Sequence, residues 1–144
     1  MDNIDEFNLA AGEILGRCYA GFPAPIVLDY REIVGVLREA VDEPHDPADI
    51  HFNDPHFKAL EHSLSWLVRA DYIWVEHVHG NILEHSIRLS PLGLNVLNAV
   101  PDSLQVRETF GERLAKGATQ LGKDAISTTV TAVLGLAIQR VMGA

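Results

Sequence analysis

Cysteine is nearly missing from this 144-residue chain, and proline and aromatic residues are sparse. The lone Cys18 cannot form an internal disulfide, so the fold does not depend on an oxidising compartment. The acidic start, MDNIDEFN, lacks the basic residues and apolar core of a signal peptide, which makes the cytoplasm the expected setting. Basic charge is also scarce: 11 Lys and Arg stand against 20 Asp and Glu, a net of −9. That balance disfavours a nucleic-acid partner, because such affinity comes largely from cations replacing counterions on phosphates. No glycine-rich phosphate loop, Gly-x-Ser-x-Gly, His-Glu-x-x-His or paired-cysteine motif is present. The expectation is a protein without catalytic residues, cofactor or metal.

The charge is uneven. Residues 1–55 carry 12 acidic and 3 basic side chains, a net of −9. Residues 56–107 come to −1, and residues 108–144 to +1. A hydrophobic share of 47% is that of a folded chain.

The first helix is expected over 5–22, with Phe7, Ala11, Ile14, Leu15, Cys18 and Phe22 as one apolar stripe. Ile26–Leu28 reads as a short strand. An Asp29-x-x-Glu32 capping box opens a second helix that buries Ile33, Val34, Leu37 and Val41. Asp42 to Pro55 is an acidic loop, read as solvated, because it lacks the alternation and central glycine of a calcium site. Asp54-Pro55 then starts a third helix with Phe57, Leu60, Leu64, Leu67 and Val68 inward. Trp66 points away from that stripe, toward a partner or under the C-terminal helix.

Tyr72–His79 and Leu83–Ser90 read as a hairpin. A register in which paired residue numbers sum to 162 sets Ile73 opposite Leu89 and Val75 opposite Ile87, all four on one buried face. It also places Trp74 near Arg88 for a cation–π contact, and His85 opposite His77. His77, His79 and His85 are the weak metal candidates, with a polar hairpin tip as the plain alternative. Ser90-Pro91 caps a short fourth helix carrying Leu92, Leu94, Val96 and Leu97.

Helix, strand, helix, loop, helix and hairpin in that order resemble a winged helix-turn-helix domain over about two-thirds of the chain. The most specific parts are Leu67-Val68-x-x-Asp71-Tyr72-Ile73 and Ile87-x-Leu89-Ser90-x-x-Gly93. With Phe22-Pro-Ala-Pro25 and a small-residue tail, the whole chain also looks like short bacterial winged-helix proteins bearing an added C-terminal helix. The resemblance implies an α+β, mostly helical fold: a winged helix-turn-helix domain with a two-stranded wing, plus a long C-terminal helix. It implies a non-enzymatic regulator whose third helix faces DNA or a partner with Lys58, His62, Ser65 and Arg69, joined by Trp66, Trp74 and Arg88. Glu61 in the middle of that face would need a cytosine amino group or be repelled, and the wing offers histidines where a DNA reader carries Arg or Lys; the charge balance supports the alternative, a protein-interaction adaptor that has lost DNA binding.

The expected organisation is a winged-helix domain over 1–100, a linker over 101–108 and a helix over 109–144 that opens on a Thr109-x-x-Glu112 capping box. Fifteen consecutive residues, 125–139, are uncharged, short of the ~20 that span a bilayer. Three fates are open to such a helix: self-association, packing on its own domain, or membrane association through 125–142. The expected oligomerisation seam is Phe110, Leu114, Leu121, Ile126, Val130, Val133, Leu134, Ala137 and Val141. Glycines 111, 117, 122 and 135 suit close helix approach.

Overall fold

The computed structural model describes residues 1–44, 46, 51–78, 84–101 and 107–143. The fold is α+β and mostly helical, with a three-stranded antiparallel sheet. Its elements are α1 (Asn3–Gly21), β1 (Ile26–Asp29), α2 (Tyr30–Ala40), α3 (Pro55–Arg69), β2 (Ile73–Val78), β3 (Glu84–Leu89) and α4 (Pro91–Leu97). Three C-terminal helices follow: α5 (Phe110–Ala115), α6 (Gly117–Leu121) and α7 (Lys123–Met142).

Helix α1 is the hub. The sequence suggests one apolar stripe, yet an unbroken run from Asn8 to Gly16, and then Cys18, is buried. Small residues make this possible. A Cβ at Gly16 would lie 2.3 Å from the carbonyl oxygen of Leu114, and one at Gly12 would lie 2.5 Å from a methyl of Ile126. Helices α5 and α7 therefore sit against the α1 backbone, at a separation that larger side chains would forbid. Phe22, expected to end the stripe, lies beyond the helix and is exposed.

Three polar ties fix the same junction. Asn8 Nδ2 donates to Ser127 Oγ at 2.9 Å, joining α1 to α7. Buried Glu13 accepts from the backbone N–H of Ala118 at 2.8 Å. That carboxylate serves the first turn of α6, which has no side-chain cap of its own. Tyr19 lies flat where Gly111 leaves room and donates from its hydroxyl to Asn98 at 2.9 Å.

The expected continuous C-terminal helix is broken twice, at Gly117 (φ +77°) and Gly122 (φ +91°), conformations that favour glycine. Of the four glycines suited to close approach, only Gly111 serves that purpose among the described residues, and nothing among them lies near Gly135. The breaks turn α7 back along α1, so Leu114, Ile126, Val130 and Val133 join Ile14, Leu15 and Leu60 in one core. The segment after 108 shares the core of the segment before it.

The hairpin register is the expected one at its base: Ile73 pairs with Leu89, Trp74 with Arg88, and Val75 with Ile87. Ile73, Ile87 and Leu89 are buried, but Val75 is 42% exposed at the sheet edge. A bulge between Val75 and His77 then shifts the pairing, so His77 faces Ser86 rather than His85. Strand β1 pairs with β3, making three strands in the order β1-β3-β2, where a two-stranded ribbon was expected.

The two sequence stretches flanking the hairpin lock together. Asp71 adopts φ +65°, which turns the chain from α3 into β2. Ser90 Oγ donates to the Asp71 carbonyl and accepts from Gly93 N–H at 3.0 Å, and Ser90 N–H donates to the Tyr72 carbonyl at 3.0 Å. A Cβ at Gly93 would lie 2.3 Å from that same carbonyl oxygen. The serine-to-glycine spacing is thus a steric and hydrogen-bonding requirement.

Gly16→Ala and Gly93→Ala each push a methyl into backbone, so each should lower stability by about 2 kcal/mol in urea unfolding. A neutral Gly16→Ala would mean that α5 does not rest on α1 at this distance.

Candidate interaction site on helix α3

Asp54 caps α3, with Oδ1 accepting from His56 N–H at 2.8 Å, and Pro55 occupies the first helical position. Phe57, Leu60, Leu64 and Leu67 go inward as expected, and Val68 is half-buried. The opposite face presents Lys58, Glu61, His62, Ser65, Trp66 and Arg69, all exposed. The predicted surface residues of this helix therefore do lie together.

A groove of about 590 Å³ runs beside that face, between α1, α3 and α7. Ile4 and Phe7 form one wall, His62 and Trp66 the other, and Leu134 closes it from α7. Trp66 is 47% exposed and meets Phe7 edge to face, with ring centroids 5.3 Å apart at 82°. Its other side stacks on Tyr72 at 6.1 Å and 20°. Two aromatic contacts hold the indole while leaving nearly half of it in solvent, a rigid anchor at low entropic cost. Trp66 lines the groove together with Leu134 of α7, and its packing partners are Phe7 and Tyr72.

On the other flank of α3 a smaller cleft of about 300 Å³ lies against the sheet, lined by Tyr30, Glu61, Arg69, Val75 and His85. His85 packs edge-on to Tyr30 at 5.5 Å, and its Nδ1 is buried without a hydrogen-bond partner. Burial, reinforced by the Glu61 carboxylate, pushes the Tyr30 hydroxyl up to about 12. Burial also pushes the Cys18 thiol up to about 12. Neither group is poised as a nucleophile or base near neutral pH.

Trp74 and Arg88 pair across the sheet without the expected stacking. Trp74 Nε1 donates to Asp71 at 3.0 Å, and Arg88 is ion-paired with Glu76. Arg17 is bound by Glu13 and Glu32, and Arg31 by Asp29 and Glu84. Acidic neighbours thus pair with all three of these arginines. For the histidine cluster, His79 lies outside the described residues, and the bulge separates His77 from its expected partner. Among the described residues, no three His, Cys, Asp or Glu are placed to hold a metal ion.

Two described residues of the acidic loop, Glu43 and Asp54, make specific side-chain contacts. Asp54 pairs with Arg38, both about nine-tenths buried, and the His56 ring sits between Glu43 (3.1 Å) and Glu6 (3.3 Å). Sequence inspection missed this cluster. Its signal was an arginine within the apolar stripe of α2, Arg38 lying four residues after Val34 and three before Val41, together with a helix-capping aspartate at the start of α3.

Of the expected oligomerisation seam, Phe110, Leu114, Ile126, Val130, Val133 and Ala137 are buried within the chain's own core. They are therefore unavailable to a partner in this conformation. Leu121 and Leu134 are half-buried, and Val141 is 65% exposed. By length and composition α7 could cross a membrane, though its inner face is occupied by the protein itself. No protein-family model, curated protein or solved structure matches this chain.

Burial raises the Asp54 carboxyl, but the Arg38 guanidinium and the His56 N–H outweigh it and hold the group below the usual carboxylate range. A lowered folded value adds stability above the unfolded value of about 3.9, and that stability is lost as pH falls through the folded value. Asp54→Asn keeps a capping side chain and removes the charge partner. At neutral pH it should cost about 2 kcal/mol, less than the ~3–5 typical of a broken buried pair, because Arg38 keeps further interactions. The gap between wild type and variant should close as unfolding is followed below about pH 4. A gap that stays constant down to acid pH would show that the ion pair is not its source.

Proposed function

We propose that this chain is a non-enzymatic winged-helix binding module that recognises protein, and that the α1/α3/α7 groove receives an apolar helical ridge. The element order that carries the resemblance supports the fold reading, as does the lock between Asp71, Ser90 and Gly93 at its two most specific stretches. The single observation that carries the function is the half-exposed Trp66, braced by Phe7 and Tyr72 beside a groove of about 590 Å³. Trp is among the residues that dominate binding energy at protein interfaces, above all when a rigid pocket surrounds it. An amphipathic helix meets such a groove with anchors at i, i+3 or i+4, and i+7.

Charge argues in the same direction. On the outward face of α3, Lys58 and Arg69 flank Glu61, and the whole chain carries −9. Phosphate contacts that release few counterions supply little affinity. A protein partner with an apolar ridge needs none.

Helices selected from a randomised display library against the full chain should carry apolar anchors at that spacing. Trp66→Glu should weaken their binding about 30-fold or more, with the circular dichroism spectrum unchanged. A salt-sensitive shift of duplex DNA that Lys58→Glu abolishes, with no helix selected, would contradict the proposal.

A further inference from the structure

The groove has a candidate occupant in the chain itself. Helix α7 supplies the groove's third wall through Leu134. On the same helix, Ile138 and Val141 follow at four and seven residues and are 58% and 65% exposed. Leu134, Ile138 and Val141 form one ridge, spaced as a groove-binding helix requires and about 10 Å long at 1.5 Å per residue. Ridge and groove are neighbours on one surface, joined at Leu134. We infer that a second copy of this chain is the groove's partner: each copy lays its α7 ridge into the α1/α3 groove of the other about a two-fold axis near Leu134. This rests on the reading of the groove as a helix acceptor.

A two-fold contact uses one patch on both copies, so that patch must contain both a projection and its receptacle. This surface does. Charge selects the same pairing. The groove's α1 wall belongs to the segment 1–55, net −9, and Glu6 of its first turn lines the groove. Two copies that met through those segments would repel each other. The ridge belongs to the segment 108–144, net +1, and residues 125–139 of α7 carry no charge at all. Laying this uncharged ridge in the groove avoids the repulsion that contact between the two acidic segments would bring.

The test is sedimentation of the full chain over a concentration series, with Ile138→Glu and Val141→Glu as separate variants. Both positions are exposed, so helix content, and melting at concentrations where the wild type is monomeric, should be unchanged while pairing weakens about tenfold or more. A second arm mixes Ile4→Cys chains with Ile138→Cys chains and adds a short bismaleimide. The native Cys18 is buried, so cross-linked product should be confined to mixed pairs. A wild-type chain that stays monomeric, or that pairs equally well as Ile138→Glu, overturns the inference. So does a monomer that floats with phospholipid vesicles through α7. A monomer that still binds displayed helices in a Trp66-dependent way removes the second copy and leaves the groove standing; loss of both removes the groove as well.

Discussion

The backbone contact between α1 and α5 governs this fold. Gly16 admits the carbonyl of Leu114 to within 2.3 Å of where a side chain would start, and Gly12 admits Ile126 beside it. Because those two positions are empty, α5 and α7 lie against α1 and the core extends across the whole chain. Glu13 and Asn8, on the same helix, supply the hydrogen bonds that α6 and α7 need there. Everything on the surface follows from this placement. With α7 fixed on α1, Leu134 closes the groove at Trp66, and the outer face of α7 is left in solvent.

Much of this was legible in the sequence, and the reasons differ by element. The starts of α3, α4 and α5 are written locally, in Asp54-Pro55, Ser90-Pro91 and Thr109 with Glu112. The base of the hairpin was legible because side-chain alternation admits one register that buries Ile73, Ile87 and Leu89 together. The bulge after Val75 was not, since it depends on how the strand edge bends rather than on residue type. The direction of the C-terminal segment was hidden for a related reason. Glycine inside an apolar helix suits either close approach or a break, and only tertiary packing decides between them. Gly111 went one way; Gly117 and Gly122 went the other.

The interaction surface was half legible. Helical spacing from Lys58 to Arg69 gives the outward face of α3 correctly, Trp66 included. The groove beside it is made by Ile4 and Phe7 from the start of the chain and Leu134 from near its end, which no local pattern relates. The same distance in sequence hid the roles of the C-terminal residues. Ile126, Val130, Val133 and Ala137 read as a seam for a partner and are buried in the chain's own core, Ile126 and Val130 against Gly12 of α1. The ridge left over is the flank of that seam.

Amide hydrogen exchange of the full chain in native conditions tests the central claim most directly. If α7 belongs to the same cooperative unit as α1, the amides from Ile126 to Ala137 exchange only through global unfolding, at the free energy that limits Ala10 to Leu15. Exchange of the α7 amides through a much smaller opening energy, while α1 stays protected, would contradict the account: the C-terminal helix would then be an appendage, and the groove it closes would lose its third wall.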